Sequence, residues 1–145
     1  APATNNLDFN YVCKCDFFIP NESELEILTG MHVSSIEQIK AAASSLVDKG
    51  VKNVIVTMGS RGVMWVSDRD AQIVESFNVD AVDTTGAGDA FIGCFAHHYI
   101  QNGDIVHSIK MANAFAALSV TKRGTQDSYP SVDDMNRFID NVMEV

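Results

Sequence analysis

The spacing of hydrophobic positions divides the chain into alternating helical and extended segments. After Ser34, apolar positions recur every three or four residues, which predicts a helix that Ser34 and Glu37 cap and that continues to about Lys49. Asn53–Thr57 is instead β-branched and apolar at consecutive positions, a pattern typical of a central parallel strand covered by helices on both faces. A second short buried strand is predicted for Asp16–Ile19.

Capping and turn residues predict the remaining elements. Asn21 and Glu24 have capping-box spacing, for a helix that Gly30 ends. Val63–Ser67 and Gln72–Phe77 are bounded by turn residues and predict a small antiparallel meander. Further helices are predicted at 90–101, from 104 to about 121, and from 131 onward. The pattern indicates an α/β fold, with a layered parallel sheet flanked by helices, and leaves the strand order open.

Composition restricts the classes of partner. The chain has 145 residues, of which 46% are hydrophobic, and a formal charge of −9. This length suits one globular domain, and an acidic surface repels nucleic acid and anionic membranes. Because of screening, the binding of a small anion depends on the local field rather than on the total charge. No apolar run approaches the ~20 residues of a membrane helix, and no leader is visible. We therefore expect a cytoplasmic protein with reduced cysteines, either a processed chain or a piece of a longer one.

The segment Asp83–Asp89, with the sequence DTTGAGD, contains the clearest candidate chemistry. Gly86 and Gly88 lie just before a predicted helix, so that backbone N–H groups can converge on an anion without obstruction by Cβ atoms. One interpretation is structural: the glycines form a tight turn and Asp89 neutralises the helix dipole. The other is catalytic: the N–H groups stabilise a transferring phosphoryl group while Asp89 accepts a proton from the attacking hydroxyl.

Other phosphate-binding motifs do not account for this loop. The dinucleotide fingerprint requires Gly or Ala at position 91, where this chain has Phe91. The sequence contains neither a Walker A loop nor the motif set of protein kinases. If the loop binds phosphate, it must use a motif different from these three.

Four segments of the chain, in order, resemble the ribokinase-like sugar kinases of the phosphofructokinase B type. Asp83–Phe91 resembles the family's C-terminal signature, and Asn21–Gly30 resembles its N-E-x-E…L-T-G segment. Thr57–Gly62 (TMGSRG) resembles its nucleotide loop, and Gly124–Pro130 resembles its closing segment. The resemblance extends over nearly the whole chain and implies a ribokinase-like fold. Ribokinase is the subfamily that fits best, which implies ATP-dependent conversion of ribose to ribose 5-phosphate.

The resemblance also implies a role for each matching residue. Asp89 matches the catalytic base that acts on the sugar hydroxyl, and Gly86, Ala87, Gly88 and Asp89 match the anion hole. The positions that match ATP contacts are Asn21, Thr57, Met58, Gly59, Ser60, Arg61, Gly62, Gly88, Asp89 and Asn113. The positions that match the mostly backbone ligands of a potassium ion are Asp83, Thr85, Ser119, Lys122, Gly124 and Ser128. Glu24 matches a residue that organises Mg²⁺ and its waters.

Asn113 has independent support, because an Asn within an Ala-rich helix face needs a polar partner. That partner is the nucleotide in one interpretation. In the alternative, Asn113 is a core residue that bonds a neighbouring loop.

The resemblance covers only the C-terminal half of the family. In the family, the N-terminal half supplies the sugar-binding glycine motif, the lid and a large share of the parallel sheet. We therefore expect residues 1–145 to be a single ATP-binding portion that acts with a missing N-terminal half and is inactive alone. A homodimer is a possible state of the full-length protein. Two alternatives stay open: a nucleotide-binding fragment without catalysis, and a structural part that completes another chain's sheet.

Overall fold

The computed structural model describes residues 7–143. In its first part, the elements are α1 (Phe9–Val12), α2 (Glu22–Thr29), α3 (Ile36–Asp48), β1 (Asn53–Thr57), β2 (Val63–Ser67) and β3 (Ala71–Val74). In its second part, they are α4 (Ala87–Asn102), α5 (Ile105–Ser119) and α6 (Val132–Met143), with a short 3₁₀ turn at Gln126–Ser128. The chain divides between Val74 and Glu75 into two units, which are described separately.

The sheet of the first unit has the strand order β1-β2-β3, and both pairings are antiparallel. Ile55 lies opposite Trp65, and Val63 lies opposite Val74. The antiparallel meander is therefore confirmed, but the last strand ends at Val74 rather than at Phe77. The pairing stops there because Val63 is the first residue of β2, so that later residues of the third strand have no opposite partner.

A parallel neighbour runs along the other side of β1. The Phe18 N–H donates to the Asn53 carbonyl, and the Ile55 N–H donates to the Phe18 carbonyl, both at 2.9 Å. The Thr57 N–H donates to the Pro20 carbonyl at 3.0 Å. The central, parallel-paired position of β1 is thus confirmed, but the neighbour forms isolated bridges rather than the predicted strand. Pro20 has no N–H to extend the ladder.

The helix starts of the first unit follow from side-chain caps. Asn21 and Glu24 form the predicted reciprocal capping box, and Gly30 ends α2 in the left-handed region at φ 67°. The predicted cap of α3 by Ser34 and Glu37 is wrong by one residue. Ser35 is the N-cap and Gln38 its reciprocal partner, because the extended backbone of Ser35 aims its hydroxyl at the Gln38 N–H.

The core of the first unit joins α2, α3 and β1. Leu25, Ile39 and Leu46 are 0% exposed, as is every residue of Val54–Val56. Three consecutive buried positions confirm that β1 is covered on both faces. Burial of each large aliphatic side chain contributes ~1.5–3 kcal/mol relative to exposure, so this core fixes the strand end that precedes the Thr57–Gly62 loop.

The second unit is built on α4 packed against α5. Phe91 and Phe95 of α4 are buried, and their rings stack in series with Tyr99. The start of α4 lies at Ala87 rather than Ala90, because Gly86 adopts the left-handed conformation as N-cap and the next residues enter the first turn.

The other two helices of this unit also begin at polar caps. The Asp104 carboxylate accepts from the His107 N–H and caps α5, which ends at Ser119, two residues before the predicted end. Ser131 and Asp134 bond reciprocally at the start of α6. Within residues 7–143, no helix combines the length and apolar character that a membrane crossing requires.

Candidate functional site

The Asp83 carboxylate ties two loops of the second unit together. Its Oδ1 accepts from the backbone N–H of Thr85 at 3.0 Å and from the Thr85 hydroxyl at 2.6 Å. Its Oδ2 accepts from the Gly124 N–H at 3.1 Å. The bonds from Thr85, followed by the one from Gly124, lower the pKa of Asp83 to about 2. The carboxylate is therefore ionised at neutral pH and holds the loop before α4 beside the loop after α5.

Gly86 is required by the backbone of this turn. Its φ is +80°, and a Cβ placed there would lie 3.3 Å from Cγ2 of Thr125. The Tyr129 hydroxyl is 3.5 Å from the Gly86 carbonyl oxygen, at the long limit of a hydrogen bond. A side chain at position 86 would meet both strain and crowding.

Gly88 is different, because nothing in the chain explains the absence of a side chain. It lies in the first turn of α4 without a positive φ, and no atom would lie within 4 Å of an added Cβ. Glycine inside a helix destabilises it by roughly 0.5–1 kcal/mol relative to alanine. Gly93, later in the same helix, has the same open space, but only Gly88 lies in the first turn, where the absence of a side chain would let an anion approach the backbone N–H groups.

Asp89 shares the first turn of α4 with Gly88, and both are exposed. N–H groups in a first helical turn have no acceptor within the helix. The N–H of Ala87 donates to the Thr84 carbonyl at 3.2 Å, and the N–H groups of Gly88 and Asp89 come next along the chain. The structure thus places backbone donors and an exposed carboxylate at one helix end, an arrangement compatible with both interpretations of the loop.

The six positions predicted to bind potassium are partly brought together. Asp83, Thr85 and Gly124 are joined by the hydrogen bonds described above. Ser119 and Ser128 are buried, and their hydroxyls donate to carbonyls three residues earlier, whereas Lys122 is exposed. In the described part of the chain, no group of three or more His, Cys, Asp or Glu side chains could hold a metal. A cation here would depend on backbone and hydroxyl oxygens, which suit a hard monovalent ion.

Asn113 is only 5% exposed, and its Nδ2 donates to the Glu75 carbonyl at 3.0 Å. This is the kind of contact that the alternative interpretation predicted, a core Asn bonded to a neighbouring loop. A nucleotide contact by Asn113 stays a prediction.

In the first unit, the predicted nucleotide positions gather around the start of α2 and the end of β1. Asn21 pairs with Thr57 in a parallel bridge. The Asn21 Oδ1 accepts from the Glu24 N–H, and Glu24 Oε2 accepts from the Asn21 N–H, both at 2.9 Å. One oxygen of Glu24, the residue predicted to organise Mg²⁺, is therefore occupied in holding Asn21.

The loop after β1 is a 3₁₀ turn closed by a hydrogen bond of 2.9 Å from the Met58 N–H to the Gly62 carbonyl. Gly59 and Gly62 both have positive φ, at 58° and 88°, and Ser60 is exposed. The Arg61 guanidinium pairs with the Glu22 carboxylate at the start of α2. Sequence reasoning missed this contact, because no local pattern relates Glu22 to a partner 39 positions away.

A family model described as pfkB family carbohydrate kinase matches residues 9–132. The chain belongs to this family. It is 59% identical over 140 residues to deoxyribokinase of Salmonella typhi, a match that covers 96% of this chain and 45% of that protein.

Two solved structures of ribokinases are similar to the chain. Ribokinase of Arabidopsis thaliana complexed with ribose and ATP has a TM-score of 0.86 at 30% identity, covering 91% of this chain and 43% of that one. A ribokinase II-type protein of Escherichia coli with ATP and Mg²⁺ has a TM-score of 0.78 at 32% identity, covering 92% and 42%. The predicted family and ribokinase-like α/β fold are confirmed, and the chain spans less than half the length of these relatives.

Proposed function

We propose that the chain is the ATP-binding part of a pentose kinase, with Asp89 as its catalytic base. The observation that supports this most directly is Gly88, a helical glycine with open space above it beside an exposed carboxylate. A structural turn with a dipole-neutralising acid explains Gly86 and Asp89 but gives no reason for Gly88. A transferring phosphoryl group that approaches the backbone gives one.

In the proposed reaction, a hydroxyl oxygen of the sugar attacks the γ-phosphorus of ATP. The bond between that phosphorus and the bridging oxygen breaks, and ADP leaves. The hydroxyl proton passes to the Asp89 carboxylate, which is required late because the transition state is loose. The N–H groups of Gly88 and Asp89 stabilise the negative charge on the transferring group, as Gly86 and Ala87 shape the turn that presents them.

In the first unit the proposed nucleotide contacts are Asn21, Thr57 and the turn that follows it. Asn113 is the contact proposed in the second unit. Mg²⁺, which one structural relative contains, supplies positive charge to the phosphates when bound, and Glu24 is the residue proposed to organise it. Potassium is proposed at the loops that Asp83 and Gly124 join, where it would strengthen the positive end of α4.

The substrate is proposed to be a pentose. The sequence motifs favour ribose, and a structural relative was solved with ribose and ATP. The 59% identity to a deoxyribokinase makes 2-deoxyribose the competing candidate. A ratio of kcat/KM values for the two sugars would decide between them.

We further infer that activity requires an N-terminal half, because the match covers 45% of the S. typhi deoxyribokinase. We also propose that the full-length protein is cytoplasmic and forms a homodimer. Because the chain matches only 45% of that relative, a second candidate function is supported as well: a fragment that binds nucleotide without catalysis.

The test is a chimera in which this chain replaces its matched region in S. typhi deoxyribokinase. We expect ATP-dependent phosphorylation of a pentose by the chimera, none by the 145-residue chain, and a loss of ~10²–10⁴-fold in kcat for Asp89→Asn. Asp133→Asn is the matched control, because Asp133 is an exposed acid in the first turn of α6. Equal activity of the two variants would contradict the role of Asp89, and ATP binding without turnover would favour the second candidate.

A further inference from the structure

Glu22 and Arg61 form an ion pair that joins the first residue of α2 to the Thr57–Gly62 loop. The Glu22 side chain is 30% exposed and that of Arg61 is 44% exposed, so the pair is partly shielded from water. In this contact the negative charge of the Glu22 carboxylate balances the positive charge of the Arg61 guanidinium. A cation whose charge is balanced in this way attracts a triphosphate less than a free one does.

The loop has a second attachment to the same region. Its first residue, Thr57, donates its backbone N–H to the Pro20 carbonyl at 3.0 Å and pairs with Asn21. The entry to the loop is therefore fixed by backbone bonds, whereas the ion pair fixes the part near its end. Gly59 and Gly62 both adopt positive φ, and because glycine has no Cβ, the turn between them has more conformational freedom than other residues would allow.

We propose that Glu22 is a positioning residue for the nucleotide: through Arg61 it holds the turn in the conformation that binds ATP. Arg61 acts through this contact and is not itself a phosphate ligand. The inference rests on the proposed function of the loop and assigns a role to Glu22 that the sequence motifs alone do not. It also revises the role of Arg61 from a nucleotide contact to an anchor.

The test is a double-mutant cycle of Glu22→Gln, Arg61→Gln and both together in the 145-residue chain. Two quantities are measured: the amide exchange rate of Gly62, whose N–H donates to the Gly59 carbonyl at 3.1 Å, and the affinity for MgATP by calorimetry. We expect each single variant to speed exchange and to weaken MgATP binding by about two- to five-fold, the range of a partly exposed ion pair. The double variant should be no worse than either single one.

Matched controls exist for both residues. Glu37→Gln changes an exposed acid in the first turn of α3, and Arg69→Gln changes an exposed arginine whose ion pair is with its neighbour Asp68. Neither should change Gly62 exchange or MgATP affinity. In the chimera, Glu22→Gln should raise KM for ATP and leave kcat unchanged, and the charge-exchanged variant Glu22→Arg with Arg61→Glu should recover part of the loss.

Three outcomes would overturn the proposal. Arg61→Gln weakens MgATP binding much more than Glu22→Gln, or Glu22→Gln strengthens it by freeing a phosphate ligand, or the two effects on exchange simply add. If the unmodified chain binds no MgATP, the proposed nucleotide function of the chain is contradicted. In that case the amide exchange rates of the single and double variants still test whether the Glu22–Arg61 pair holds the turn. Coupled effects on Gly62 exchange support this role, and additive effects reject it.

Discussion

The Asp83 carboxylate accepts a hydrogen bond of 3.1 Å from the backbone N–H of Gly124, although the two residues lie 41 positions apart. The bond brings the loop before α4 and the loop after α5 to one place. Because the same carboxylate also accepts two hydrogen bonds from Thr85, one side chain fixes the start of the DTTGAGD segment.

Asp83 should make stability depend on acid pH. Its pKa falls from 3.8 to about 2 on folding, so the unfolded chain binds more protons between these values. The contribution of Asp83 is complete above pH 3.8 and is lost as the pH falls through 2. In urea denaturation, Asp83→Asn should be less stable than the unmodified chain at pH 7, and the difference should shrink between pH 4 and 2. Asp80→Asn, at an exposed position, is the control.

Three glycines of α4 and its cap should respond differently to alanine. Gly86→Ala should destabilise the chain by about 1–2 kcal/mol, because of its positive φ and the Thr125 contact. Gly88→Ala should leave stability unchanged or raise it by up to about 1 kcal/mol, yet abolish kinase activity of the chimera. Gly93→Ala, also with open space, controls for the helix and should retain activity. Full activity of the Gly88→Ala chimera would refute the proposed approach of phosphate to the backbone.

Truncation of Leu25 should reveal the core beneath the predicted nucleotide positions. Leu25 is 0% exposed in α2, so Leu25→Ala should lower the free energy of unfolding by about 2–5 kcal/mol. Ile27 lies on the same helix at 46% exposure, and Ile27→Ala should change stability by only about 0.5 kcal/mol. Thermal and urea denaturation measure both, and equal losses would show that the assigned face of α2 is wrong.

His98 should make stability depend on pH near neutrality. Burial, and then the neighbouring His97 and His107, lower its pKa below 6.5 in the folded state. The ring centroids lie 5.1 and 5.8 Å away, so these neighbours also oppose a charge on His98. Because the unfolded chain binds more protons, stability should be complete above about pH 6.5 and fall as the pH is lowered towards 5.

The variant His98→Gln tests this dependence. It should flatten the decline in stability between pH 7 and 5, measured by urea denaturation. His32→Gln removes a histidine whose side chain is 86% exposed and pairs with Glu26 at the surface, and because exposed pairs contribute little, it should change the slope much less than His98→Gln does. If stability declined with pH equally in both variants, His98 would be ruled out as the cause of the decline.

Local rules of the sequence were sufficient for several elements. The Asn21–Glu24 capping box was predicted correctly because both partners lie within one helical turn. The bounds of β1 and β2 were also correct, since β-branched runs end at turn residues. Errors arose where two local solutions compete: Ser34 and Ser35 both suit an N-cap, and the backbone conformation selects Ser35.

Caps, hydrophobic periodicity and motifs act over a few residues, and they were sufficient to predict the family, the longer helices and the strands β1 and β2. The contacts between distant groups, Glu22 with Arg61 and Asp83 with Gly124, became visible only in the folded chain. Such contacts depend on the path of the intervening chain, which packing of the buried core fixes and which no local pattern encodes.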